Sequence, residues 1–148
     1  MNKLKNNDYE FMDFLRINEE EMSTYRPLAG SFAVVKYGGK VLMCYNVWRK
    51  QWELPAGRRE GVETPKECAM RELYEETGQV ITDMEFSGLL KSKNTKNGDV
   101  KYNPVYVTAV EEIQPFIENE ETSEIRLWDL KEEIGDLDMV DIRILDFV

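Results

Sequence analysis

The chain has 148 residues, of which 42% are hydrophobic, so residues 1–148 are long enough to fold as one domain with a sizeable core. Its formal net charge of −10 at pH 7 argues against a nucleic-acid polymer or an anionic membrane as the main partner, because both favour basic surfaces. The lack of histidine excludes Ser-His-Asp and Cys-His catalytic systems and histidine-ligated zinc.

The first predicted element is an amphipathic helix over residues 8 to 22, within an N-terminal helical extension of residues 1–24. Its apolar residues fall roughly in one helical register: Phe11, Phe14, Leu15 and Met22. We expect this helix to serve packing or the formation of a homodimer. The sequence has no apolar stretch of the kind found in a secretory signal or a membrane span, so we expect a cytoplasmic protein.

Most of the remaining chain is predicted to form β-strands. The segments Ser31 to Tyr37 and Lys40 to Asn46 favour a hairpin across the turn pair Gly38-Gly39. Four further strands are predicted: Trp52 to Leu54, Ile81 to Ser92, Lys101 to Val110 and Glu124 to Trp128. A short helix from Leu130 to Ile134 and a closing helix from Asp138 to Phe147 complete the chain. Two cysteines, Cys44 and Cys68, lack metal-type spacing and are expected to pack as small hydrophobic side chains.

The clearest helix signal lies in the middle of the chain. Thr64-Pro65-Lys66-Glu67 has the pattern of a capping box with proline at the first helical position, and Gly78 supplies a left-handed stop. Four residues of this helix are predicted to face the core: Ala69, Met70, Leu73 and Thr77.

A second side of the same helix carries three carboxylates, Glu72, Glu75 and Glu76. Glu72 opposes the other two at spacings of three and four residues, and Arg71 can offset only Glu75 at the spacing of four. Glu75 and Glu76 also lie at the negative end of the helix dipole, where a carboxylate is disfavoured. The alternative is a solvated helix face. An arrangement that opposes folding is typical of a functional site, and carboxylates without histidine or thiolate ligands suit Mg²⁺ or Mn²⁺.

The segment from residue 57 to residue 79 follows the pattern G-x5-E-x7-R-E-U-x-E-E-x-G-U, where U is a bulky aliphatic residue. Its fixed positions are Gly57, Glu63, Arg71, Glu72, Glu75, Glu76 and Gly78. This pattern resembles the Nudix box of the Nudix hydrolase family, with one departure, because Gln79 stands where the family has an aliphatic residue. The resemblance implies an α/β (α+β) fold, in which a mixed β-sheet is sandwiched between α-helices.

The same resemblance implies a reaction. Nudix hydrolases cleave the diphosphate linkage of a nucleoside diphosphate joined to another group, by attack of water on phosphorus, with divalent metals bound by glutamates of the box. Carried over to this chain, the metal ligands would be Glu72, Glu75, Glu76 and a backbone carbonyl near Ala56 or Gly57. Arg71 and Glu63 would orient them, with Glu72 and Arg71 counted as catalytic. The expected cofactor is Mg²⁺, with Mn²⁺ as the alternative.

Members of the family often add a glutamate from a loop beyond the box, as general base or further ligand. The sequence offers four candidates, Glu118, Glu120, Glu121 and Glu124, and counting back from Leu127-Trp128 favours Glu121. A solvated acidic loop is the alternative for each of them.

The substrate is open between a nucleoside triphosphate, an oxidised nucleotide and a nucleotide sugar. Four aromatic residues could stack on a base or simply pack: Tyr45, Trp48, Trp52 and Tyr102. A nucleotide-binding regulatory module without turnover and a structural acidic protein are the competing functional hypotheses.

Overall fold

The computed structural model describes residues 3–5 and 8–148. Over these residues ten β-strands form one mixed sheet. In chain order the strands are β1 (Lys3–Lys5), β2 (Tyr9–Leu15), β3 (Ser31–Tyr37), β4 (Lys40–Asn46), β5 (Gln51–Glu53), β6 (Ala56–Gly57), β7 (Glu85–Asn94), β8 (Val100–Ala109), β9 (Thr122–Trp128) and β10 (Asp136–Asp138). The helices are a 3₁₀ helix (Glu19–Thr24), α1 (Pro65–Thr77) and α2 (Asp141–Ile144).

The sheet runs in the order β1-β10-β5-β4-β3-β8-β7-β2, while β6 pairs with β3 and β9 pairs with β4. Strands β3 and β8 are parallel at its centre, and β3 and β4 form the hairpin with the predicted bounds. Gly38 has a φ of 59° in the hairpin turn, a conformation that a residue with a side chain rarely adopts. The parallel and antiparallel pairs confirm the predicted mixed sheet.

Both faces of the sheet are buried, which gives the core two layers. On one face α1 covers β3 and β4, with Ala69 and Leu73 fully buried there as predicted. The opposite face packs against α2 and the end of the chain, around side chains such as Val34 and Ile144. Cys44 and Cys68 are both free and buried. Within the described residues no helix has the length and apolar character needed to cross a membrane.

Helix α1 begins and ends where the sequence predicts. The Thr64 hydroxyl accepts a hydrogen bond from the Glu67 amide at 3.1 Å, and the Thr64 amide donates to Glu67 Oε1 at 2.8 Å. Gly78 ends the helix with a φ of 82°, and its amide donates to the Tyr74 carbonyl at 2.8 Å. The capping box and the glycine stop each depend on a few adjacent residues, so the sequence alone is enough to predict both ends of this helix.

The predicted helix over residues 8 to 22 is wrong, because the segment forms β2 and then the 3₁₀ helix; residues 1, 2, 6 and 7 of the predicted extension lie outside the described residues. Strand β2 pairs with β7 and has a bulge between Phe11 and Asp13. The bulge adds one residue to the alternation, so Phe11 and Phe14 both stack on Phe147. A bulged strand therefore reproduces the spacing of three residues that suggests a helix. A homodimer remains a prediction.

Two predictions near the C-terminus also need correction. Leu130 to Ile134 is a bend rather than a helix, since Asp129 Oδ1 accepts hydrogen bonds from the amides of Lys131 and Glu132, both at 2.8 Å. This side-chain capping competes with helix formation. The closing segment forms a helix only over Asp141–Ile144 and continues as turns to residue 147. Strands β1, β6 and β10 were not predicted.

Candidate active site

The acidic side of α1 lies against the short strand β6. The Ala56 amide donates a hydrogen bond to Glu76 Oε1 at 2.9 Å. Any Cβ atom at residue 57 would overlap the Glu72 carboxyl group, so only glycine leaves room for this carboxylate. Cys68 Sγ donates to the Gly57 carbonyl at 3.1 Å and joins the helix to the same strand. Two of the predicted metal ligands, Glu72 and Glu76, thus lie against strand β6.

Arg71 is the cation that holds the box together. Its guanidinium donates to Glu72 Oε1 at 2.8 Å, to Glu75 Oε2 at 3.0 Å and to the Arg58 carbonyl at 2.8 Å. It also forms a two-point ion pair with Glu63. The hydrogen bond from Arg71 holds the pKa of Glu63 below its usual value. Arg71 and Glu63 therefore fix both the helix face and the loop that precedes the helix.

Glu76 is the most strongly perturbed carboxyl group of the box. Its side chain is 5% exposed, and this burial raises the pKa of Glu76 to about 9. The carboxylates of Glu121, Glu72 and Glu53 raise it further by repulsion, although the hydrogen bond from Ala56 opposes the shift. Burial likewise raises the pKa of Glu72. The side chains that repel Glu76 are therefore part of one acidic neighbourhood.

Of the four loop candidates, Glu121 is the one half-buried in this neighbourhood; Glu118, Glu120 and Glu124 are exposed. Asn46 Nδ2 donates to Glu121 Oε2 at 3.1 Å. Burial raises the pKa of Glu121, while Arg49 lowers it. The loop is fastened to α1, because Asn119 Nδ2 donates to the Glu76 carbonyl at 3.1 Å and Asn119 Oδ1 accepts from the Glu121 amide at 3.1 Å.

Gln79, the one departure from the motif, has a definite structural role. It is 2% exposed, and its Nε2 donates to the Gln114 carbonyl at 2.8 Å, while the Gln114 amide donates to Gln79 Oε1 at 2.8 Å. An aliphatic residue could not make this reciprocal pair. Gln79 therefore joins the end of α1 to the segment that leads to Glu121.

Sequence reasoning missed a buried polar network beside the site. Glu53 is 7% exposed and accepts from Arg49 Nε at 2.7 Å, from Gln51 Nε2 at 2.6 Å and from Asn46 Nδ2 at 3.2 Å. The sequence contains one indication of this network, because Glu53 is a charged residue between the apolar residues Trp52 and Leu54 of a predicted strand. Asn46 donates to both Glu53 and Glu121, so the network connects the strand to the loop.

A cleft opens beside Ala56 and has two compartments, both lined by Tyr9, Phe32, Arg49, Ala56, Lys101 and Asn103. The outer compartment, about 570 Å³, is also lined by Gly57, Arg58 and Arg59. The inner compartment, about 320 Å³, is also lined by Glu53, Ser92, Asp138 and Asp141.

The four aromatic residues proposed to stack on a base do not line this cleft. Trp52 is 3% exposed in the core, and Tyr45 packs edge-on against it with ring centroids 5.3 Å apart. Tyr102 packs against Tyr25, and Trp48 is 66% exposed. Packing is therefore the role that the structure gives to three of the four.

Among the described residues, no three aspartate, glutamate or cysteine side chains are already placed so that they could bind one metal ion together. Arg71 explains this, because it occupies the space between the carboxylates of Glu72 and Glu75. The donor set nevertheless suits a hard divalent cation, since it consists of carboxylate oxygens, and the Glu72 carboxyl group occupies the room that a Cβ at residue 57 would fill.

Comparison with known proteins agrees with this geometry. Residues 25–147 match the model of the NUDIX domain family. YtkD of Bacillus subtilis (strain 168), a candidate 8-oxo-dGTP diphosphatase, is 27% identical over 110 residues, which cover 72% of this chain and 68% of YtkD. The fold is similar to that of a MutT NUDIX hydrolase from Burkholderia pseudomallei, with a TM-score of 0.70 and 20% identity over 83% of this chain and 98% of that one.

A second similar structure is the NUDIX domain of Shewanella oneidensis NrtR in complex with ADP-ribose. Its TM-score is 0.64 at 20% identity, over 88% of this chain and 96% of that one. At this identity the likeness concerns the fold. The family match covers most of the chain, so the protein belongs to the NUDIX domain family and is a Nudix hydrolase.

Proposed function

We propose that the protein hydrolyses the diphosphate linkage of a nucleotide by attack of water on phosphorus, with the help of a divalent cation. The main support is that Glu72 and Glu76 lie against Ala56 and Gly57, and that Glu121 is near enough to repel both of them. These carboxyl groups are buried or half-buried, and they repel one another. Such a group of acids is favourable when an added positive charge lies among them.

The residues that would hold Mg²⁺ or Mn²⁺ are Glu72, Glu75, Glu76 and the carbonyl of Gly57. When bound, the cation would neutralise phosphate oxygens and lower the pKa of the attacking water. Arg71 acts as a positioning residue, since it fixes two of the three glutamates.

Glu121 is suited to the general-base role. It is half-buried and held by Asn46, and its pKa is raised toward the range in which a carboxylate accepts a proton readily. In the reaction the water oxygen bonds to phosphorus and its proton passes to Glu121. The bridging P–O bond breaks, and its electron pair leaves with the departing phosphate.

The outer compartment suits the phosphates. Arg49, Arg58, Arg59 and Lys101 line it, although the whole chain has a net charge of −10. This local concentration of cations favours a substrate with several phosphate charges. Together with the likeness to YtkD, it favours a nucleoside triphosphate or an oxidised nucleotide over a nucleotide sugar.

A panel of nucleoside triphosphates, oxidised nucleotides, nucleotide sugars and ADP-ribose, incubated with Mg²⁺ and resolved by product, tests the proposal. We expect release of phosphate or pyrophosphate, and a fall of about 100-fold or more in Glu76→Gln, because the variant would lose a charged ligand of the cation that neutralises the phosphate oxygens. Glu85→Gln, which changes an exposed carboxylate at the start of β7, is the matched control and should retain activity.

Full activity in a folded Glu76→Gln variant would contradict the site assignment. Nucleotide binding without product on the entire panel would instead support the regulatory-module alternative.

A further inference from the structure

The sheet has strands with only one partner, and each of them leaves a backbone edge open. Strands β1 and β2 lie at the two ends of the sheet, and β9 pairs only with β4 among the described residues. Strand β6 also has a single partner but is two residues long. The amides and carbonyls of an open edge can form a ladder with a strand of another chain. The edges long enough to consider are therefore those of β1, β2 and β9.

The edges of β1 and β2 are poorly suited to pairing between two copies of the chain. Strand β1 has only three residues. Strand β2 has seven, but its two charged residues, Glu10 and Asp13, are both acidic, and a bulge interrupts its ladder. Like charges that face each other across two strands are destabilising, and bulges protect edge strands from pairing.

Strand β9 carries charges of both signs. Residues 123–127 read Ser-Glu-Ile-Arg-Leu, and Glu124 and Arg126 are exposed. Because they are two residues apart in a strand, their side chains lie on the same face of the sheet. Neither side chain forms an ion pair within the part of the chain that the structure describes. Arg126 contacts the Trp52 ring instead, with Cζ 5.5 Å from the ring centroid.

The charge pattern of β9 is complementary to itself. If two copies of β9 run antiparallel about a twofold axis at Ile125, Glu124 of each copy lies opposite the partner's Arg126. Directly opposite side chains have Cβ atoms about 4.5–5.5 Å apart, so two ion pairs form across the axis. An axis at residue 124 would place two glutamates opposite each other, and an axis at residue 126 two arginines. The charges therefore favour one register.

The other face of β9 adds apolar contacts in the same register. Ile125 and Leu127 are partly buried against the core layer under α1. On the twofold axis, Ile125 lies beside the partner's Ile125, so the part of each side chain that is still exposed becomes covered. Apolar cross-strand pairs of this kind stabilise a sheet.

We propose that the protein forms a homodimer through antiparallel pairing of β9 with β9 of a second copy, in the register centred on Ile125. The shared ladder is short, and each chain has a net charge of −10, so the dimer is weak and dissociates in the micromolar range. The inference does not depend on the proposed function, because no residue assigned to the candidate site takes part in the pairing.

Analytical ultracentrifugation of the full chain, across micromolar concentrations at about 0.15 M salt, tests the inference, since this salt screens most of the repulsion between the net charges. We expect a reversible equilibrium between monomer and dimer. Glu124→Arg places arginines opposite each other, and Arg126→Glu places glutamates opposite each other. Each single variant should raise the dissociation constant by about 10-fold or more. The double variant Glu124→Arg/Arg126→Glu exchanges both charges and should return to within about 3-fold of the natural chain.

A mixture of the two single variants makes the test independent of folding. Glu124→Arg carries two arginines on β9 and Arg126→Glu carries two glutamates, so the variants are complementary to each other. Each alone should stay monomeric at concentrations where the mixture forms a heterodimer. Glu85→Arg is the matched control for the altered net charge, because it changes an exposed carboxylate at the start of β7, and its dissociation constant should equal that of the natural chain.

A natural chain that stays monomeric over the whole concentration range would overturn the inference. A dimer that neither single reversal weakens would do the same, because it would form through another surface. A dimer that both single reversals weaken, and that neither the double variant nor the mixture restores, would show that Glu124 and Arg126 do not meet across a twofold axis.

Discussion

The two sides of helix α1 have different roles, since one packs in the core and the other carries the carboxylates of the candidate site. One side places Ala69 and Leu73 in the core with no exposure, and its cap residues make the expected hydrogen bonds. The other side places Glu72, Glu75 and Glu76 where they repel one another, near the negative end of the helix dipole. Residues of the core side and the acidic side follow one another along this helix, as at Glu72 and Leu73, so a substitution on the core side should change stability without changing the chemistry.

The largest effect on the stabilising side is expected for Leu73→Ala. Leu73 is 0% exposed, so the substitution removes packed atoms and leaves a cavity that lowers the free energy of unfolding by about 2–5 kcal/mol. Denaturant unfolding measures the loss. The turnover number of the folded fraction should change little. A turnover number that falls in parallel with stability would show that the two sides are not separable.

On the acidic side, Glu76→Gln should raise the free energy of unfolding, whereas Leu73→Ala lowers it. Burial raises the pKa of Glu76 from the usual 4.5 to about 9, so the folded chain holds a proton that the unfolded chain has already lost above pH 5. The free energy of unfolding of the natural chain therefore falls as the pH rises from about 5 to 9. Glutamine cannot ionise and removes this fall.

At pH 8.5 without divalent metal, Glu76→Gln should be more stable than the natural chain by up to about 5 kcal/mol, with near-equal stability at pH 5. Melting temperatures across this pH range, in the presence of a chelator, make the comparison. Parallel pH profiles for the two proteins would show that Glu76 ionises in the folded chain as freely as in water.

The smallest effect is expected at the boundary between the two sides, in Gln79→Leu. The change restores the aliphatic residue of the motif but leaves the Gln114 amide without its acceptor, at a cost of about 1–2 kcal/mol in the free energy of unfolding. Because Gln79 joins α1 to the segment that carries Glu121, the turnover number should also fall several-fold. An unchanged turnover number would mean that this connection does not position Glu121.

Prediction from sequence was most successful where the determinants are local. The capping box at Thr64, the stop at Gly78 and the turn at Gly38-Gly39 each depend on a few adjacent residues, and all three are confirmed. The β-bulge in β2 depends on its partner β7, so the spacing of Phe11 and Phe14 was misread as helical.

The site, too, could be predicted only where its residues lie close together in the sequence. The box residues Gly57, Glu72 and Glu76 come together within 20 residues of chain, and their meeting follows from one strand, one loop and one helix. The inner compartment instead brings together Glu53 and Asp141, two buried polar residues that lie far apart in the sequence. Only the tertiary arrangement of β5, β7, β8 and α2 gives them a common cavity.

The pairing of β2 with β7 has a practical consequence for work on the isolated family domain. A shortened chain that begins at residue 25 would lose β2 and leave the edge of β7 that faces β2 without its backbone hydrogen bonds, while the other edge stays paired with β8. A strand left open in this way can recruit a second chain by edge-to-edge pairing, which leads to aggregation. Expression and crystallisation trials should therefore keep the residues that precede the matched region, since the natural chain uses them to close its own sheet.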